Sequence, residues 1–154
     1  MKKILSLGVI TTETRVLLGV KKRGFGEGLW NGFGGKLEEG ETVDESLVRE
    51  TKEECGVTVT KYEKKGILEF HYVDQEEIFE VHVYECTEYE GEPVETEEMR
   101  PEWFSYDEIP YGIMWADDIY WYPLLLEGKK FKGSFWFDKD GKVTKHELEV
   151  VEKL

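Results

Sequence analysis

Apolar residues recur along this chain in short runs or at every second position, and at helical spacing over one longer stretch. Ile4, Leu5, Leu7, Val9 and Ile10 make the first run, and Val16, Leu17, Leu18 and Val20 make the second, within Arg15 to Lys21. Both read as strands, with the polar segment Thr11 to Thr14 turning the chain between them. From Gly24 to Gly40 the pattern changes: glycine stands at 24, 26, 28, 32, 34, 35 and 40 around Phe25, Leu29, Trp30 and Phe33. That mixture predicts a shaped loop held down by aromatic anchors. Thr42 then suits a helix N-cap with Glu45 completing a capping box, and Gly56 suits the helix end. Val43, Leu47, Thr51 and Cys55 give that helix its core-facing stripe. Glu50, Glu53 and Glu54 fall on another side, the first and last a helical turn apart and therefore close.

Further on, Ile67 to Val73 and the alternation Phe79, Val81, Val83 predict two strands joined through Asp74 to Glu77. An acidic loop follows from Glu88 to Glu98, then a short buried element at Trp103 and Phe104. A short helix over Tyr120 to Leu126 is expected despite Pro123. Lys132 to Phe137 and Lys142 to Val151 pair as a closing hairpin around Asp140 and Gly141. Strands interleaved with few helices predict an α/β fold, a mixed sheet flanked by helices.

Composition narrows the class. The 154 residues suit one domain over 1–154, and an apolar fraction of 40% with 14% aromatics is a folding composition. The 34 acidic residues against 20 Lys and Arg give a net charge of −14, which repels a nucleic-acid backbone but leaves room for a small phosphorylated substrate whose bound metal reverses the local field. The run Ile4 to Ile10 is broken by Ser6 and Gly8 and is too short for a membrane span, so a cytoplasmic protein with no membrane association is expected. Cys55 and Cys86 are too few for a disulfide scaffold and read as buried thiols, and His71, His82 and His146 lack the spacing of a metal motif.

The segment that carries chemistry is GKLEEGETVDESLVRETKEECGV, Gly35 to Val57. Carboxylates crowded on one helix repel unless a counterion intervenes, and magnesium, a hard ion that prefers oxygen, bridges such groups to phosphates. Gly35, Glu41, Arg49, Glu50, Glu53, Glu54, Gly56 and Val57 stand at the spacing of the Nudix hydrolase signature, and the segment resembles it throughout except at Thr51, where an apolar residue is usual. The blocks KKRGFGEGLWNGFGGKLEEGET, EMRPEWF and MWADDIYWYPLLLEGKKFKGSFWF are similar to the branch of that family which, in vertebrates, hydrolyses oxidised purine nucleoside triphosphates and is related to bacterial MutT proteins.

That resemblance implies a Nudix fold, a mixed β sheet sandwiched between helices, and magnesium-dependent hydrolysis of nucleotides such as 8-oxo-dGTP and 2-hydroxy-dATP to the monophosphate and pyrophosphate. The resemblance also allows manganese in place of magnesium. It assigns metal binding to Glu50, Glu53, Glu54, Glu98 and the Gly35 carbonyl, water activation to Glu53, orientation of a catalytic carboxylate to Arg49, and phosphate contact to Lys21. Around the base it places Asn31, Asp117, Asp118, Trp115 and Phe70, with Phe25 and Met99 lining the pocket. Ser6 and Phe79 stand where relatives have threonine and methionine. Glu41 is read as structural. A buried aspartate pair resists double ionisation, so one carboxyl donates a hydrogen bond while the other accepts. From the residues alone, Asn31 also suits an Asx turn, Asp117 and Asp118 a helix cap, and Trp115 a core anchor. Two other readings stay open: a Nudix hydrolase of another nucleoside triphosphate or a nucleoside diphosphate conjugate, and a nucleotide-binding regulator without turnover. A monomer that binds no DNA or RNA is expected.

Overall fold

The computed structural model describes residues 2–154. Its spine is β1 (Lys2–Thr11), which pairs along one edge, in parallel, with β6 (Ile78–Glu90). Its other edge is shared: β4 (Phe33–Lys36) takes Leu5 to Gly8 and β2 (Arg15–Lys21) takes Ile10 and Thr11, both antiparallel. The short β3 (Trp30–Asn31) and β7 (Met99–Ser105) flank β2. Beyond β6 the sheet continues through β5 (Thr58–Tyr72), then β8 (Lys130–Phe137) in parallel, and β9 (Val143–Val151).

Successive residues of β1 face opposite sides, and the two cores divide accordingly. Ile10 joins Phe33, Leu47 and Cys86 under α1 (Val43–Cys55), whereas Val9 joins Trp121, Tyr122, Leu125 and Phe131 under α2 (Asp118–Leu126). The mixed sheet thus lies between two helices, as expected. Helix α1 comes close to β1 at Gly8, where a Cβ would stand 2.6 Å from Leu47 Cδ1. Leu47 is fully buried, an interaction worth about 1.5–3 kcal/mol. The capping box forms, with Thr42 Oγ1 accepting from Glu45 N and Glu45 Oε1 from Thr42 N, and Gly56 closes the helix in the left-handed conformation at φ 83°. Thr51, the departure from the signature, is fully buried, and its hydroxyl donates to Leu47 O at 2.7 Å, so its polar group is satisfied within the helix.

Several boundaries differ from expectation. The glycine-rich segment is not all loop, because β3 and β4 form inside it. A Cβ on Gly34 would lie 1.9 Å from Ser6 O, so this strand exists by virtue of having no side chain there. Phe25 is not a buried anchor; it is 63% exposed. β5 starts at Thr58 rather than near Ile67, hidden by bulges at Val59/Lys61, Lys61/Tyr62 and Lys64/Gly66 that break the two-residue alternation. β6 runs on to Glu90, so the acidic loop begins later, and α2 begins at Asp118. Cys55 and Cys86 are buried free thiols, and among the described residues no helix is long and apolar enough to cross a membrane.

Candidate active site

The exposed side of α1 carries the acidic cluster, and one arginine organises it. Arg49 forks onto Glu41, Nε to Oε2 at 2.7 Å and Nη2 to Oε1 at 3.0 Å, while Nη1 reaches Glu50 at 3.1 Å and both oxygens of Glu53 at 3.3 Å. Arg49 also donates to the Lys36 carbonyl at 3.2 Å, tying the helix to the end of β4. The Arg49 hydrogen bonds, with the Glu38 backbone N–H, pull the Glu41 carboxyl down to about 2.

Two consecutive glycines of β4 press against the same helix face. Gly34 N–H donates to Glu54 Oε1 at 2.9 Å, and a Cβ on Gly35 would stand 2.8 Å from Glu50 Oε1. Burial raises the Glu50 carboxyl, and it pushes Glu54 up to about 8 against the help of the Gly34 N–H, with the Glu50 charge adding to the rise. Two carboxyl groups this reluctant to ionise together suit a shared cation. Among the described residues no three carboxylate, imidazole or thiol groups stand close enough together to hold a metal ion by themselves. An open all-oxygen set of this kind fits a hard divalent ion that keeps waters and is completed by substrate phosphates. Glu53 remains open to solvent, its side chain 57% exposed.

These carboxylates stand at one end of a cavity of about 770 Å³, and every expected site residue except Arg49 lines it. Arg49 lies behind the wall, acting on Glu50 and Glu53. Lys21 stands across from Glu54 and favours its ionised form. Two residues are engaged in ways that their sequence positions did not announce. Glu98 Oε1 accepts from Arg23 Nη2 at 2.6 Å, which orients the carboxylate and leaves its second oxygen for a metal. Ser6 reaches the wall, but its hydroxyl is bonded to Ser46 Oγ at 3.0 Å on the α1 side, so it does not present a free hydroxyl to a ligand.

The far end of the cavity is aromatic and contains two buried acids. Phe70, on β5, meets Phe135 and Phe137 edge-on at 6.1 and 5.5 Å. Phe79 packs on Tyr72 at 5.5 Å, and Phe25 leans over Trp115 at 5.0 Å. Asn31, at the end of β3, accepts at Oδ1 from Gly32 N at 2.8 Å, a bond to the next residue and not the two-residue span of an Asx turn. Met99 is 3% exposed and belongs to the core under α1 as well as to the wall. Asp117 and Asp118 are each 2% exposed. Asp117 makes no helix-capping bond; its Oδ2 accepts from Trp121 Nε1 at 2.7 Å one turn on, and Asp118 Oδ2 has no partner. Burial raises both carboxyls, and Asp118 more, because the Asp117 charge and a hydrogen bond shared with it add to burial, while Trp121 pulls Asp117 back.

Sequence reasoning overlooked Tyr72, Gln75 and Glu77, which also line the cavity. Tyr72 had a signal: it stands two residues after Phe70 and therefore faces the same way along the strand.

The NUDIX domain model matches residues 2–125. The chain is 48% identical over 152 residues to the oxidized purine nucleoside triphosphate hydrolase of Danio rerio, covering 99% of this chain and 97% of that protein. With the protein of the same name from Mus musculus the identity is 45% over the same shares. Among solved structures, a MutT protein of Bacillus halodurans superposes with a TM-score of 0.86 at 29% identity, covering 96% of this chain and 97% of that one. The chain belongs to the Nudix family.

Proposed function

We propose that this Nudix hydrolase cleaves oxidised purine nucleoside triphosphates, such as 8-oxo-dGTP and 2-hydroxy-dATP, to the monophosphate and pyrophosphate. The observation that carries this reading is the single cavity with a carboxylate cluster at one end and a buried aspartate pair among aromatic rings at the other. A nucleotide has the same polarity: a polyanion that needs a cation, and a flat base that needs stacking and edge recognition. Two relatives that match over nearly their whole length carry the name oxidized purine nucleoside triphosphate hydrolase, which supports the substrate class.

Nudix hydrolases generally work with a divalent metal such as Mg²⁺. In this reading Glu50, Glu53 and Glu54, the Gly35 carbonyl and the Glu98 oxygen that Arg23 leaves free would hold it. Bound there, magnesium neutralises phosphate charge and makes water a stronger acid. Glu53, exposed at the cavity and oriented by Arg49, accepts the proton of the attacking water. Lys21 meets the phosphates from the opposite wall. Phe70, Phe79, Trp115, Phe25 and Met99 enclose the base, and Asn31, Asp117 and Asp118 read its edge, while Ser6 shapes the wall through its backbone. The enzyme acts as a monomer on small nucleotides, and its net charge of −14 keeps nucleic acid away.

Product-resolved initial rates with magnesium test this, comparing 8-oxo-dGTP and 2-hydroxy-dATP with dGTP, dATP and nucleoside diphosphate conjugates. Preference for an oxidised triphosphate, with pyrophosphate released, is expected. Preference for a conjugate would overturn the substrate assignment but keep the chemistry, and absence of metal-dependent turnover would overturn both.

A further inference from the structure

Two of the buried oxygens without a hydrogen-bond partner, Asp118 Oδ2 and the Tyr122 hydroxyl, belong to residues one helical turn apart on α2. The neighbouring pair at the same spacing, Asp117 and Trp121, is joined at 2.7 Å, so a ring on this helix can bring a polar atom to the aspartate one turn before it. Tyr122 is fully buried, in the core between α2 and the sheet. A phenylalanine would fill the same space without burying an unsatisfied hydroxyl, which is a destabilising feature in a core. The groups that face the pair are few. Tyr122 lies on the same helix as both acids and its hydroxyl also neighbours the Gly32 backbone N–H, Trp121 donates to Asp117, the Trp115 backbone lies against Asp118, and Tyr111 and Tyr72 stand near Asp118 and Asp117 respectively.

The environment of the pair favours one arrangement. Asp117 ionises the more readily because Trp121 donates to it, and Asp118, beside the Asp117 charge, holds its proton the more tightly. A purine whose edge offers donor and acceptor in the opposite order needs the opposite arrangement, with the proton moved from Asp118 to Asp117 and Asp118 ionised. An ionised Asp118 needs a donor, and the unpartnered Tyr122 hydroxyl is on the correct side of the helix to supply one. We propose that Tyr122 is a positioning residue for base recognition: its hydroxyl donates to Asp118 Oδ2 when Asp118 is ionised, and so sets how readily the aspartate pair inverts to accept bases of opposite hydrogen-bonding order. Tyr122 keeps its own proton throughout; only the proton shared by the two acids changes place. The substrate side of this inference rests on the purine reading of the cavity, whereas the coupling of Tyr122 to Asp118 does not.

The experiment compares the full-length protein with Tyr122→Phe, which keeps the ring and its packing. Carboxyl ¹³C titrations of the ligand-free proteins report the aspartate pair directly. Removing the donor moves the upper titration step of the pair upward by about one pH unit. In the same two proteins, the ratio of kcat/KM for 8-oxo-dGTP to that for 2-hydroxy-dATP changes by about five-fold or more. An upper step that stays in place overturns the proposal whatever the substrate, and an unchanged kcat/KM ratio overturns it too. If the unmodified protein hydrolyses neither nucleotide, the purine reading fails, and the titration alone then decides the role of Tyr122.

Discussion

Arg49 touches Glu38, Glu41, Glu50 and Glu53 and the Lys36 carbonyl, so one side chain holds most of the acidic face in place. Lysine has the charge but not the planar fork. Arg49→Lys is expected to lower stability by roughly 1–2 kcal/mol and to reduce turnover, with urea melts and steady-state rates as the check; unchanged values for both would mean that the fork is ornamental. Glu53→Gln tests a different duty. The residue is exposed and packs on little, so the variant should fold normally and lose about 10²- to 10⁴-fold in kcat with KM within a few-fold. Near-normal kcat would remove Glu53 from the proton step. The proposed phosphate end was largely readable because Glu50, Glu53 and Glu54 lie within one helix and Gly35 just before it, where spacing along the chain is spacing in the molecule, whereas Lys21 and Glu98 come from elsewhere. The base end draws on the β2–β3 loop, β5, β6 and α2, separations that no local pattern reports, and only likeness to a known family gathered them. Even that likeness left out the Arg23 grip on Glu98 and the Ser46 bond to Ser6, since both depend on side-chain direction.

Helix α1 was legible nearly residue by residue, because a capping box, an apolar stripe and a terminal glycine all agree on its limits. Thr42→Ala removes one half of the box and should cost about 1 kcal/mol, seen as a lower midpoint in thermal or urea melts; an unshifted midpoint would show that other contacts define the start of the helix. Strands β3 and β4 were not legible, for a physical reason. Their signal is the absence of side chains where the backbone of β1 lies close, and absence has no periodicity. Gly34→Ala would drive a methyl into the Ser6 carbonyl, so this substitution should unseat β4 from β1 and bring down both stability and activity. The Gly34 N–H held on Glu54 would be lost with it. A variant with native melting and native rates would show that β4 yields at little cost. In β5, three bulges erase the alternation over its first half, which left only the regular stretch from Ile67 visible.

On the scale of the molecule, the raised carboxyls give stability a definite pH dependence. Glu54, at about 8, together with Glu50, Asp117 and Asp118, binds protons more tightly when folded than when unfolded. The stabilisation they provide is therefore present at low pH and is lost as pH rises from the ordinary carboxylate range toward about 8. Glu41 acts with the opposite sign: held at about 2 by Arg49, it stabilises the fold above the ordinary range and stops doing so as pH falls toward that value. Without metal, the melting temperature should accordingly fall between about pH 5 and pH 8, and saturating magnesium should flatten that decline by supporting ionised Glu50 and Glu54. Melts across this range in chelator and in magnesium make the comparison; parallel curves would sink the idea that a cation shares these carboxylates.

The NUDIX match stops at residue 125, whereas the hairpin of β8 and β9 comes after it and extends the sheet beyond β5. Phe135 and Phe137 of that hairpin stand directly behind Phe70, and Phe137 stacks on Tyr72 at 5.1 Å. The acidic helix and the backing of the aromatic end therefore occupy separate stretches of chain. Changes confined to the hairpin would reshape the wall behind Phe70 and Tyr72 while leaving the carboxylate helix as it is, a freedom open to a protein engineer seeking a new substrate.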